Sequence, residues 1–307
     1  MVHDRLLDAE HTDRFRLLIL PNVAALSNQQ CDQIRAFVRS GGSILATHET
    51  SLYDEWGVRR KNFGLADLFG VSYNKGPEGP MQNAYLRLEG RHALLRDLED
   101  ATRIIHGAHR LDVRATAQFP ARPLTLIPSY PDLPMEEVYP RIPRTDIPEV
   151  YLREVGASRI VFFPWDIDRT FWEVLCADHG RLLRNAVLWA ANQDQPVTVA
   201  GSGVLDLAVW RQKSSLTVHL VNLTKPMMMK GPLRELIPVG EQRVRLRLPD
   251  GAEPRKVHLL MSGSTPATRR DGRFLEVVVP SVLTTRWSPW TCKEAATTQR
   301  DASTYNS

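Results

Sequence analysis

The alternation of apolar and polar positions is clearest between Phe15 and Thr47. Arg16-Leu-Leu-Ile-Leu20 is a continuous apolar run stopped by Pro21-Asn22, which predicts a strand covered on both faces. Ser27, with Gln30 three residues later, predicts a capped helix start. Cys31, Ile34, Phe37 and Val38 then recur on one helical face. Gly41-Gly42 offers the positive φ that ends a helix, and Ser43-Ile-Leu-Ala-Thr47 is a second apolar run. Strand, helix and strand within about 30 residues make a βαβ unit, so the strands are parallel and the crossover right-handed.

Downstream, His48 to Gly57 is a polar loop leaving the carboxyl end of a parallel strand, the edge where open α/β sheets bind ligands. Leu65 to Gly70 reads as a short helix ended by glycine, followed by a Gly/Pro loop through Pro80. Ala84–Leu88 reads as a strand, His92–Leu98 as a short helix and Leu111–Phe119 as a strand. Eight prolines between Pro120 and Pro148 predict an irregular surface excursion. Glu149–Val155 and Arg159–Phe163 flank Gly156-Ala157-Ser158 as a hairpin. Pro164-Trp-Asp-Ile-Asp-Arg169 leaves the second of these strands, and Phe171–Asn192 is predicted as one helix.

Composition changes near Gln195-Pro196. Beyond it, short β-branched segments (Val204–Arg211, Leu216–Leu223, Val244–Leu248, Val257–Met261 and Phe274–Val279) are separated by turns such as Pro249-Asp-Gly251 and Asp271-Gly272. Their spacing predicts a small antiparallel β-sandwich. The expected division is an α/β domain over 1–195, a sandwich over 196–288 and a polar, disordered tail over 289–307.

With 307 residues, 43% of them hydrophobic, the chain suffices for two such cores. A net charge of +4, with bases scattered among acids, argues against nucleic acid as a partner. No apolar run reaches the ~18 residues of a membrane span, and Met1-Val-His-Asp-Arg5, with no apolar segment after it, is not expected to be a signal peptide. Cys31, Cys176 and Cys292 form no disulfide framework; Cys31 and Cys176 fall on helical stretches and read as small core residues, with the cytoplasm the expected compartment.

Leu18-Ile-Leu-Pro-Asn22, Ala36-Phe-Val-Arg-Ser-Gly-Gly42 and the strand after them resemble the flavodoxin-like beta-galactosidase trimerisation domain, of the class I glutamine amidotransferase-like superfamily. The hairpin, the Pro-Trp-Asp loop and Leu182-Leu-Arg-Asn-Ala-Val-Leu-Trp-Ala190 are similar to the segments closing that domain, although members usually carry Gly-Lys-Gly-Arg where this chain has Gly-Ala-Ser-Arg. The resemblance runs to about Trp287. It implies a flavodoxin-like sheet lacking its first strand, then a β-sandwich. It also implies a non-catalytic part of a beta-galactosidase-like glycoside hydrolase, expected to build a homo-oligomer and to wall an active site. The partner would be a (β/α)8 barrel supplied upstream or in trans.

The superfamily's amidotransferases place a nucleophilic cysteine on the turn after the second strand, where this chain has Ala46-Thr-His-Glu-Thr50. The partner His-x-Glu would fall where the chain reads Pro164-Trp-Asp-Ile-Asp168, so no glutaminase is expected. His48, Glu49 and Asp54, with Glu55 beside them, are candidate contacts on one carboxyl-edge loop; the alternative is a solvated polar loop or a contact to a partner domain. Trp165, Asp166, Asp168 and Trp172 could hold a sugar, the ring against its C–H face and the carboxylates accepting hydroxyl protons. Alternatively, both tryptophans pack under the loop while Asp168 caps a helix starting near Thr170. Asp166 and Asp168 also set a weaker glycosidase reading. His106-Gly-Ala-His109 lacks a third ligand at metal spacing and reads as a turn. Met227-Met-Met229 could be an exposed apolar loop or sandwich-edge packing. No catalytic residue, metal or cofactor is assigned.

Overall fold

The computed structural model describes residues 3–212, 215–224, 235–283 and, by backbone only, 285–293. Met227–Met229 and residues 294–307 lie outside this set. The chain divides into two compact units, Met1–Gln193 and Asp194–Ser307.

In chain order the first unit contains α1 (Ala9–Thr12), β1 (Leu17–Leu20), α2 (Asn28–Arg39), β2 (Ser43–Thr47), α3 (Ala66–Phe69), β3 (Val71–Glu78), β4 (Tyr85–Leu88), β5 (Arg103–Ile105), β6 (Arg110–Ala115), β7 (Leu124–Ile127), β8 (Tyr151–Val155), β9 (Ser158–Phe163), α4 (Ile167–Val174) and α5 (Ala177–Ala191). Its central sheet has the order β1-β2-β9-β8, with β1, β2 and β9 parallel and β8 antiparallel to β9. β1 is an edge strand.

The central sheet is covered on both faces. Ile44, Ala46, Ile160 and Phe162 face a core containing Ile34, Phe37, Phe63 and Phe69; Leu45, Val161 and Phe163 face a second containing Leu86, Leu94, Leu124, Leu182 and Ala186. Burying each large apolar side chain contributes about 1.5–3 kcal/mol, which is why these strands read as unbroken apolar runs. The capping box on α2 is formed: Gln30 N–H donates to Ser27 Oγ at 3.1 Å and Ser27 N–H to Gln30 Oε1 at 2.8 Å. Gly41 has φ +102° after the helix. At Gly42 a Cβ would lie 2.3 Å from the Phe37 ring, so the return into β2 needs glycine there.

The region between β2 and β8 differs most from expectation. The Gly/Pro loop proves to be β3, paired antiparallel with β6 through two register shifts. The strand expected over Leu111–Phe119 is Arg110–Ala115, and the helix expected over His92–Leu98 is a 3-10 turn at Ala93–Leu95. Two strands, β5 and β7, flank β4. β7 lies inside the proline-rich stretch but between Pro123 and Pro128, at a sheet edge where proline is tolerated. The helix expected over Phe171–Asn192 is two, α4 and α5, broken where Leu175 takes φ +54°. Cys176 therefore caps α5 rather than lying within a helix, and it is half-buried; Cys31 is buried on α2, and burial pushes its thiol pKa up.

The second unit contains β10 (Val197–Ala200), β11 (Leu205–Arg211), β12 (Ser215–Asn222), β13 (Gln242–Arg247), β14 (Glu253–Val257), β15 (Thr268–Asp271), β16 (Phe274–Val279) and β17 (Thr285–Lys293). They form two antiparallel sheets, β10-β13-β16-β15 and β11-β12-β17-β14. Alternating residues such as Val218, Leu220, Val244, Leu246, Leu275 and Val277 fill its core. The strand expected over Val257–Met261 ends at Val257 instead, and β17 carries the chain past Pro289, where the tail was expected to begin.

Candidate functional site

β2 and β9 lie side by side and parallel, so the turns leaving their carboxyl ends meet. His48 N–H donates to Phe163 O at 2.8 Å. The turns after β1 and β2 are also tied: Asn22 N–H donates to Thr47 Oγ1 at 2.8 Å, and Glu49 N–H to Asn22 Oδ1 at 3.1 Å. Asn22 and His48 have φ of 45° and 47°, unusual for non-glycine residues and held here by those bonds.

His48 is buried, and its Nε2 has no hydrogen-bond partner. Burial pushes its pKa below the ordinary value; Glu49, Asp166 and Asp168 oppose that shift and His109 adds to it, so the ring is neutral near pH 7. Glu49 Oε1 accepts the Tyr53 hydroxyl at 3.0 Å. Asp166 is also buried. Its Oδ1 accepts His109 N–H at 2.9 Å and the Thr170 hydroxyl at 3.2 Å, and its Oδ2 lies 3.2 Å from His109 Nδ1. This pair forms because residues 109–111 run along the loop after β9: Asp166 N–H donates to His109 O and Leu111 N–H to Pro164 O. Gly107 permits the approach, since a Cβ there would lie 2.5 Å from both Asp166 Oδ1 and the Trp165 ring.

Several expectations for these residues are corrected. Trp165 is fully buried between His106 and His179, and its Nε1 donates to Glu149 O at 2.9 Å; no face remains for a sugar. Asp168 does not cap a helix near Thr170: α4 starts at Ile167 behind Asp166, and Asp168 lies in its first turn with Oδ1 buried and unpartnered. Trp172 does not pack under the loop, being 55% exposed. Asp54 builds a turn, its Oδ1 accepting Trp56 N–H at 3.0 Å and Val58 N–H at 2.9 Å. His106 and His109 are partners of buried carboxylates, and no set of three metal-ligating side chains occurs among the described residues.

Sequence reasoning missed two features. The first is a buried charge cluster behind the site. Glu149, wholly buried, meets Arg110 Nε at 2.9 Å and lies 3.4 Å from His106 Nε2, while Arg110 NH1 reaches Glu78 at 2.6 Å. The only local signal was a glutamate directly preceding an apolar strand. The second is Trp56, 85% exposed at the tip of the Asp54 turn, where Gly57 takes φ +77°. A pinned turn that displays an indole is uncommon, because tryptophan is normally among the more buried residues.

No family model and no curated protein matches the sequence. Solved structures do. Alpha-L-fucosidase isoenzyme 2 from Paenibacillus thiaminolyticus matches over 91% of this chain and 41% of its own, with TM-score 0.67 and 14% identity. The E323A catalytic mutant of Gan42B, a GH42 beta-galactosidase from G. stearothermophilus, matches over 92% of this chain and 33% of its own, with TM-score 0.56 and 15% identity. The beta-galactosidase from Bacillus circulans sp. alkalophilus matches over 91% and 33%, with TM-score 0.57 and 12% identity. The chain thus spans less than half the length of these enzymes, and its fold is one that forms part of beta-galactosidase and alpha-L-fucosidase chains.

Proposed function

We propose that this chain is a non-catalytic part of a glycoside hydrolase of the beta-galactosidase kind, which builds the oligomer and walls an active site supplied by a barrel. The supporting observation is the asymmetry of the structural match: nearly all of this chain, but only 33–41% of each glycosidase chain, is shared. The carboxyl edge agrees with a wall in that two of its carboxylates, Asp166 and Glu49, are held by neighbouring side chains. Asp166 is held by His109 and Thr170, and Glu49 accepts Tyr53. The test is turnover and assembly of the full chain. Aryl β-galactosides and aryl α-L-fucosides are expected to be hydrolysed at background rate, and sedimentation to report an oligomer. Turnover well above background that disappears in Asp166→Asn would overturn the reading, as would a strictly monomeric chain.

A second reading, carbohydrate binding by the carboxyl-edge loops, is favoured by one observation. Trp56 and Trp172 expose their rings on segments that follow β2 and β9, the strands whose carboxyl ends form the edge where α/β sheets take ligands. His48, Glu49, Asp54, Asp166 and Asp168 would support those rings rather than touch the sugar. Loss of oligosaccharide affinity in Trp56→Ala and Trp172→Ala, without loss of folding, is the expected result. Unchanged affinity in both excludes this reading.

A further inference from the structure

The second unit carries an aromatic hollow that plays no part in either reading above. It lies on the outward face of the β11–β12 pair, has a volume of about 450 Å³ and is lined by Trp210, Gln212, Thr217 and His219. That volume lies within the ~300–1,000 Å³ range of small-molecule sites. The strand register explains the hollow. Trp210 pairs with Thr217 and Ala208 with His219, so these four side chains share one face. Ala208, the smallest of them, leaves a depression beside the indole. Trp210 and His219 are diagonal neighbours, with ring centroids 6.4 Å apart and planes at 54°, and they form two walls meeting at an angle.

Trp210 is 63% exposed, whereas Thr217 and His219 at the base are buried. An indole carries roughly 150–250 Å² of surface that proteins ordinarily cover. Gln212 is oriented at the rim, its Oε1 accepting the Ser215 hydroxyl at 2.9 Å, which directs the amide N–H groups elsewhere. Among the described residues that line it there is no carboxylate, lysine or arginine, so none of these selects an anion or a cation by charge. A wholly apolar ligand would cover the threonine hydroxyl and the glutamine amide without pairing them, which is unfavourable for each polar group stranded. A ligand with one apolar face and a ring of hydroxyls avoids that cost.

We propose that this hollow binds a neutral saccharide, with a pyranose C–H face stacked on Trp210, His219 forming part of the base, and hydroxyls paired by Gln212 and Thr217. The site belongs to the sandwich unit alone and does not depend on the accessory role proposed for the whole chain.

The experiment uses the full chain labelled with ¹⁵N, with tryptophan indole N–H resonances followed during titration with lactose and with methyl α-L-fucoside. Saturable movement of the Trp210 indole is expected with at least one of them. Trp210→Ala is expected to weaken that binding about tenfold or more, a difference of about 1.4 kcal/mol or more, and Trp210→Phe to keep part of it. Because Trp210 is exposed, the dispersed spectrum should survive both substitutions. Tyr139→Ala, at an exposed aromatic ring that belongs to neither site, should leave the affinity unchanged. Three results overturn the proposal: no saturable movement of the Trp210 indole with either saccharide, affinity retained in Trp210→Ala, or self-association of the chain that Trp210→Ala abolishes.

Discussion

The two units bury polar groups in different ways. In the α/β unit, ionisable side chains lie inside: Glu149, Arg110, His106, His179, His48 and Asp166 are all buried, and several meet across long stretches of chain. The sandwich core is aliphatic, and its buried polar side chains among the described residues are Thr217, His219 and two amides, Asn222 and Gln242. Asn222 donates to Ile237 O and Val282 O, and Gln242 to Ser202 O and Gly240 O. An amide satisfies a carbonyl without adding a charge that must itself be desolvated and paired. The α/β unit should therefore be sensitive to charge and pH, and the sandwich to the loss of single hydrogen bonds.

The largest expected effect comes from Glu149→Ala. It leaves the Arg110 guanidinium in a dry site with only Glu78, and removing one partner of a buried pair typically costs about 3–5 kcal/mol. Calorimetry should show the transition of the α/β unit moving down while that of the sandwich stays in place. An equal shift in both would break the contrast between the units.

Acidification should give the next largest effect. Burial is the main cause holding the pKa values of His48, His92 and His179 below the ordinary value, and all three belong to the α/β unit. As pH falls through about 6.5, the unfolded chain takes up protons that the folded unit refuses. Their contribution is thus fully present above that pH and declines below it. The Tm of the α/β unit should fall between about pH 7.5 and 5.5. A flat Tm over that window would contradict the burial of these rings.

Gln242→Ala probes the sandwich in the same way. Two part-buried hydrogen bonds, to Ser202 O and Gly240 O, are lost at about 0.5–1.5 kcal/mol each, confined to the second transition. The smallest effect should come from Ser27→Ala, which removes the cap of α2 at about 1 kcal/mol. Urea unfolding monitored at both units would place that loss in the first.

Much of this architecture was legible in the chain. The βαβ unit, its capping box, the positive φ at Gly41 and strand Ser43–Thr47 all follow from contacts a few residues apart. The same holds for the alternating strand Phe274–Val279. The candidate site was legible only in part. The turns that carry His48 and Asp166 leave the same edge, because parallel strands bring their carboxyl ends together. The role of Trp165 was not legible: an aromatic beside a carboxylate on a loop has the same local pattern whether it faces solvent or the core. Strands β5 and β7 were hidden for a related reason. Each is three or four residues long and exists as a strand only through its pairing with β4.

The sequence by itself determined the elements whose stability is local: helix caps, glycine turns, and runs whose apolar period matches one face or two. Tertiary structure alone decided which distant groups would share a dry site. Arg110 and Glu149 are 39 residues apart, and His109 and Asp166 are 57 apart. No periodicity links such residues. What joins them is the cost of leaving a buried charge unpaired, and that cost arises only once the strands have closed around it.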